Sequence, residues 1–206
     1  MNNVYILRGM PFKENENPAL NGDGKMNREE ALKLVKSKVK NRNLVKHMIA
    51  TEACMRALAR HFQQDEDFWG LTGLLHDLDY DQTSEDFSRH GFLGAQMLEE
   101  IGVDDRIVYA VKAHTGHVEA KSLMDKALFA VDPLTGLIVA ATLMHPTKKI
   151  NNVDTQFVLN RFKEKRFAAG ANRDNIRTCE NLGVPLEEFI TISLEGMKTV
   201  ADELGL

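Results

Sequence analysis

The residues of this sequence able to do chemistry are histidines and aspartates set in apolar surroundings. His76-Asp77 closes the stretch Leu71-Thr72-Gly73-Leu74-Leu75, where a solvated polar pair is out of place among core-forming residues. His47 falls in line with Thr51, Cys54 and Leu58 and beside Leu44 and Met48, so it faces inward or onto a cleft wall. His114 continues the stripe Ile107, Ala110, Val111 in the same way, and Asp132 is the only charged side chain between Ala127 and Met144. A buried carboxylate is too costly to keep unless a cation or hydrogen bonds compensate it. Imidazole nitrogens and carboxylate oxygens from several helices are what a divalent cation needs, held on rigid elements with a position open to water. One cation site accounts for all of these residues. Taken singly, His47 and His114 also read as hydrogen-bonded core histidines, and Asp132 as an N-cap ahead of a first-turn Pro133.

The elements that must position these groups are helical. Asn27 with Glu30 three residues on is a capping box that opens a helix marked by Leu32, Val35 and Val39. A second carries Leu44, Met48, Met55, Leu58 and Phe62, and a third runs from Trp69 through Leu78 to end near Tyr80. Phe92, Ala95, Leu98 and Ile101 mark a fourth that stops at Gly102, and Ile107 to His114 a fifth. The run from Ala127 to Met144 is a sixth helix or a broken pair, and helices over 155–169, 172–182 and 185–204 complete the set. Convincing strand alternation is absent, so the expected fold class is all-α. Residues 1–25, with Pro11, Pro18, Gly22 and Gly24, read as an irregular arm, where Met26 is another possible start. Ala19 stands at the first ligand position of an otherwise calcium-loop-like stretch, which removes that reading. The domain expected is 26–206, with a metal-binding core at about 44–145 and C-terminal helices over 153–206.

A chain of 206 residues, 43% hydrophobic and 27% charged, suits one compact domain. Its net charge of -4 gives no global attraction for a nucleic-acid polymer, which is not an expected partner. Cys54 and Cys179 form neither a disulfide framework nor a zinc knuckle, and the start shows no basic flank before an apolar run, so a reducing, cytoplasmic setting is expected. Asp132, Pro133 and Gly136 interrupt the one long apolar stretch, which suits a buried core helix and no membrane span.

In the order His47, His76-Asp77, Asp132, the chain resembles the HD superfamily of metal-dependent phosphohydrolases, whose signature is a His, an adjacent His-Asp and a distant Asp on separate helices. The resemblance implies an HD-domain-like helical bundle with His47, His76, Asp77 and Asp132 holding a first metal between core helices. His90 and His114, which lie between the His-Asp pair and the last Asp, are implied as ligands of a second, bridged to the first by Asp77 with a water between. His90 alone reads as a surface residue. The closer likeness is to small stand-alone proteins of the HDIG type, although Leu78-Asp79 stands where Ile-Gly is usual. There is no Gly-Tyr-Pro, and Gly136 replaces the Lys four residues beyond the last Asp, so a cyclic-di-nucleotide substrate is not expected. Nor is there a regulatory or synthetase domain of the stringent-response kind. The implied cofactors are two divalent transition-metal ions, iron or manganese first, with nickel, cobalt, zinc or magnesium also admissible.

The function implied is hydrolysis of a phosphate ester, the substrate being a nucleotide or another small phosphorylated metabolite. Asp77 holds the ions, and His117 or a nearby water protonates the leaving group. Arg161 and Lys165, four apart in the string Arg161, Lys163, Lys165, Arg166, Arg173, are the expected phosphate contacts, although such runs also form solvated helix faces. A di-iron oxygenase of the same superfamily and a non-catalytic nucleotide-binding HD module are the alternatives. His61 and His145 carry no expected role. Asp79 and Asp81 read as acids supporting the ligands or as solvated loop acids, with the loop reading preferred.

Overall fold

The computed structural model describes residues 26–206; the expectations about residues 1–25 lie outside them. Among the described residues the secondary structure is entirely helical, as the periodicity predicts. Asn27 caps α1 (Arg28–Lys38) by accepting from the Glu30 N–H at 2.9 Å, and the Glu30 carboxylate accepts from the Asn27 N–H at 2.8 Å. This is the predicted capping box.

The centre of the fold is α2 (Arg42–His61), whose Met48, Met55 and Leu58 are fully buried. Each such side chain contributes roughly 1.5–3 kcal/mol of apolar burial. On one side α2 meets α3 (Glu66–Leu75), and on another α10 (Leu186–Lys198). Both approaches are close because of glycine. A Cβ on Gly73 would lie 2.8 Å from the Thr51 carbonyl oxygen, and one on Gly196 2.7 Å from that of Ala53. A side chain at Gly73 would push α3 off α2 and draw His76 away from His47.

Also packed on α2 is α7 (Leu123–Met144), opened by a Ser122–Asp125 capping box and buried through Leu128, Val131, Leu134, Leu137 and Ile138. It is long and apolar enough to cross a membrane, yet most of it is buried in the protein, as a core helix requires. It is one continuous helix with Pro133 inside it. The first-turn reading of Pro133 and the N-cap reading of Asp132 therefore fail, because burial on both sides of the proline outweighs its cost of about 3 kcal/mol.

A short α4 (Tyr80–Thr83) follows α3, and after a 3-10 turn at Phe87–Arg89 come α5 (Phe92–Glu100) and α6 (Asp105–Ala113), which pack together. Gly102 and Gly116, at φ 77° and 79°, follow these helices as the sequence indicates. The last third is more broken than expected: α8 (Thr155–Lys163), α9 (Arg173–Arg177) with a 3-10 turn at Thr178–Leu182, α10, and α11 (Ala201–Leu204). The helix expected over 155–169 ends at Lys163, where Glu164 turns to extended backbone (φ -82°, ψ 99°), and Ala168 further on adopts φ 43°. The Arg173 guanidinium holds the resulting loop, donating to the carbonyls of Ala168 at 2.7 Å and Ala171 at 2.6 Å.

Candidate metal centre

Six side chains from the expected set converge. His47 stands in the second turn of α2, His76 caps the end of α3, and Asp77 opens the turn that follows. His90 sits between the 3-10 turn and α5, His114 caps α6, and Asp132 lies mid-way along α7.

The contacts divide into two halves. His47 Nε2 is 3.1 Å from His76 Nε2 and 3.1 Å from Asp132 Oδ1. His114 Nε2 is 3.2 Å from His90 Nε2. Asp77 touches both halves: Oδ2 is 3.5 Å from His47 and 3.4 Å from His76, while Oδ1 is 3.2 Å from His90 and 3.3 Å from His114.

Every ring is oriented by its other nitrogen. His76 Nδ1 faces the Gly73 carbonyl at 2.8 Å, and His114 Nδ1 that of Val111 at 2.6 Å. His47 Nδ1 meets the Thr135 hydroxyl at 2.9 Å, which itself donates to the Asp132 carbonyl at 2.8 Å. His90 Nδ1 meets Asp79 Oδ1 at 2.9 Å. A proton on each Nδ1 satisfies these acceptors and aims all four Nε2 atoms into the cluster, the arrangement that metal-binding histidines require. Gly91, at φ 78°, lets the chain beyond His90 approach the Val111 carbonyl that orients His114, where a Cβ would come within 2.8 Å.

The sequence preference for Asp79 as a solvated loop acid is overturned. Its carboxylate is fully buried, and Oδ2 accepts from the N–H groups of Gly91 at 2.9 Å and Gly94 at 2.8 Å. Thr135 was not singled out at all, although its place three residues after Asp132 puts both on one face of α7. Asp81 accepts from the N–H of Lys40 at 2.6 Å, tying α4 to the α1–α2 junction.

Without a cation, protons must hold this cluster together. Burial opposes charge on His76, but the carboxylates of Asp77 and Asp132 outweigh it and raise its pKa well above the usual imidazole value. Against the same burial penalty, Asp77 and Asp79 push His90 up to about 9. Burial likewise opposes ionisation of Asp77 and Asp132, yet the surrounding imidazoles hold both carboxyls below their usual range. Paired imidazole nitrogens around two carboxylates fit a divalent cation better than a crowd of protons. Two groups of donors close enough to hold an ion are His47, His76 and Asp132, and His76, Asp77 and His114.

The cluster opens to solvent at His47 and Asp132, whose side chains are 23% and 28% exposed, whereas His76 is fully enclosed. A cavity of about 390 Å³ lies there, bounded also by Pro133, Gly136 and residues 168–171. A second cavity, about 560 Å³ between Phe68, Trp69, Arg106 and Met124, includes none of the six.

Three expected residues are not brought into the cluster. His117 is exposed; its Nε2 faces the Phe87 carbonyl at 2.8 Å and its ring stacks on Phe92. Arg161 pairs with Glu164 at 3.0 Å and lies against Phe157 and Phe167. Lys165 is exposed on the loop leading to the cavity wall.

Comparison with known proteins gives a family match and distant relatives. The family model described as HD domain matches residues 44–152, more than half of the chain. Ribonuclease Y of Sulfurovum sp. (strain NBC37-1) is 26% identical over 85% of this chain and 36% of its own length. Ribonuclease Y of Desulfotalea psychrophila is 28% identical over 64% of this chain and 26% of its own. Uncharacterized protein MJ0778 of Methanocaldococcus jannaschii is 30% identical over 43% of this chain and 53% of its own length. The chain thus spans about a third or less of the ribonuclease Y relatives it matches. No solved structure matches.

Proposed function

The chain belongs to the HD domain family, and from that premise we propose that it is a metal-dependent phosphohydrolase with a binuclear His/Asp site acting on a small phosphorylated substrate. The observation that carries the reading is Asp77, whose two oxygens face two separate pairs of imidazole nitrogens. His47, His76 and Asp132 with Asp77 Oδ2 would hold one cation, and His90 and His114 with Oδ1 the other. Iron or manganese suits this set, which has no thiolate: Cys54 Sγ is turned to the Ser193 carbonyl at 3.4 Å. Bound divalent cations lower the pKa of water and offset charge on phosphoryl oxygens. The ribonuclease name of the relatives agrees with chemistry at phosphate esters.

The protein's own groups do the positioning. The Nδ1 partners keep the imidazoles from turning, and the cavity beside His47 and Asp132 admits the ester. Because the His117 Nε2–H is committed to the Phe87 carbonyl, we assign protonation of the leaving group to water on the open side. Lys165, three residues before the cavity wall begins at Ala168, is retained as the phosphate contact ahead of Arg161.

The test is phosphate release from nucleoside monophosphates and sugar phosphates, using protein stripped of metal and reloaded with manganese or iron(II). Release should require metal. At sub-saturating metal it should rise as pH climbs through about 9, because the His90 proton, held up to about 9, competes with the cation and is lost over that range. Metal-independent release, or substrate-dependent oxygen uptake without phosphate, would overturn the reading.

A further inference from the structure

The loop at the opening of the cluster has its carbonyls drawn to one cation. Residues 164–171 make two successive tight turns, the Phe167 N–H donating to the Glu164 carbonyl at 3.0 Å and the Ala171 N–H to that of Ala168 at 2.9 Å. The Arg173 guanidinium then donates to the carbonyls of Phe167 at 2.5 Å, Ala168 at 2.7 Å and Ala171 at 2.6 Å. Ala168 is held left-handed at φ 43° without being a glycine, a strained conformation that persists only where its surroundings impose it. Residues 168–171 line the same 390 Å³ cavity as His47 and Asp132, so the strained segment stands at the metal centre.

A trans peptide points its N–H opposite to its carbonyl, and there is no cis bond among the described residues. With the Phe167 and Ala168 carbonyls fixed on Arg173, the N–H groups of Ala168 and Ala169 point away from the guanidinium. Arg173 is not part of the cavity wall and both alanines are, so these two donors are turned to the cavity side. Neither they nor the Gly170 N–H meets an acceptor among the described residues. A guanidinium on a carbonyl polarises that peptide and makes the N–H on its far side a stronger donor. Successive N–H groups in a turn form a concavity that suits an anion. The charge agrees: from Arg161 to Arg173 the one acid is Glu164, paired with Arg161 at 3.0 Å, against exposed Lys163, Lys165 and Arg166. The acid in the cavity wall is Asp132, which lies between His47 and His76. Gly136, also in the wall, stands mid-helix, where a Cβ would meet no neighbouring element within 4 Å; packing does not require the glycine, and its bare backbone keeps the cavity open.

We infer that the N–H groups of Ala168 and Ala169, with Gly170 beside them, form a backbone cradle for phosphoryl oxygens at the mouth of the His/Asp cluster, and that Arg173 is the positioning residue that builds it. The inference rests on the phosphohydrolase reading for its ligand and on the loop geometry for its donors. The cradle recognises the phosphoryl group and not the rest of the ester, so it serves any phosphate ester the cavity admits.

The direct experiment titrates inorganic phosphate into the full chain loaded with zinc, which is diamagnetic, and follows isotopically labelled alanine amides by NMR. The Ala168 and Ala169 resonances are assigned by their loss in Ala168→Ser and Ala169→Ser. Both amide protons should move downfield along one saturation curve; no binding, or saturation with these two amides unmoved, overturns the proposal. Arg173→Gln should weaken phosphate binding about tenfold and raise KM for phosphate esters by the same factor, with metal per chain unchanged, and Arg173→Lys should recover part of the loss. A guanidinium that only braces the loop predicts a lower melting temperature in Arg173→Gln with phosphate binding intact, and that result rejects the cradle. Phosphate binding lost in Lys165→Ala, with the two native amides unmoved by phosphate, gives the phosphate to the lysine and rejects it as well. The cradle and the hydrolysis fail separately. Shifted amides without release of phosphate from any ester uphold the cradle and remove the phosphohydrolase reading, whereas metal-dependent release with unmoved amides does the reverse.

Discussion

Asp77→Ala is expected to abolish metal retention at both positions and to lower kcat/KM by about 10³-fold or more, the scale of several kcal/mol of lost charge stabilisation. Asp77 is the one side chain in contact with all four imidazoles of the cluster. Removing it leaves nitrogens paired at 3.1 Å and 3.2 Å with no anion between the pairs. The remaining Asp132 reaches only His47 and His76, at 3.1 Å and 3.7 Å, so the Nε2 atoms of His90 and His114 keep no carboxylate between them, Asp79 touching His90 only at Nδ1. Asp77→Asn should fail nearly as badly, since a carboxamide keeps the shape but loses the charge. Metal content after dialysis, measured with kcat/KM, checks both variants. Full metal occupancy with retained turnover would contradict the assignment.

The second large effect is expected at Asp79, and there the two possible losses can be separated. Asp79→Ala strips the acceptor from His90 Nδ1 and from two N–H groups at the start of α5, in a site with no access to solvent. Unsatisfied buried donors cost about 1–3 kcal/mol each, so a stability loss of about 3 kcal/mol in urea unfolding is expected. The freed His90 ring should also weaken metal at its position by about 10–100-fold. Asp79→Asn offers one oxygen, enough for Gly91 and Gly94, but turns an NH2 toward His90 Nδ1. That favours the tautomer with the proton on Nε2, which cannot bind a cation. Most of the stability should therefore survive in Asp79→Asn while half of the bound metal is lost. Unchanged metal in Asp79→Asn would show that Asp79 braces the turn only.

The ligands were legible because each polar side chain interrupts an apolar helical stripe, and burial of such groups demands a partner. His47 beside Met48 and Asp132 between Val131 and Leu134 carry that signal locally. Asp79 does not. It sits among Asp77 and Asp81 in a stretch without period, and the N–H groups that define its role are 12 and 15 residues away, at the cap and in the first turn of α5. Pro133 misled in the opposite way, since a local rule for helix starts was overridden by the core contacts of Leu128, Leu134 and Ile138. The basic string in residues 161–173 concealed the loop after Lys163 for the same reason: Arg173, which resembles a solvated cation in sequence, spends its guanidinium on loop carbonyls. His117 stands three residues past His114, but Gly116, at φ 79°, lies between them and the His117 ring packs on Phe87 and Phe92.

The central claim is that Asp77 joins two cation positions, and metal counting tests it most directly. Elemental analysis of the protein, after anaerobic incubation with iron(II) or manganese and removal of excess, should give about two ions per chain, falling to about one in His114→Ala. One ion in the native protein that His114→Ala leaves in place, or none under either metal, would contradict it.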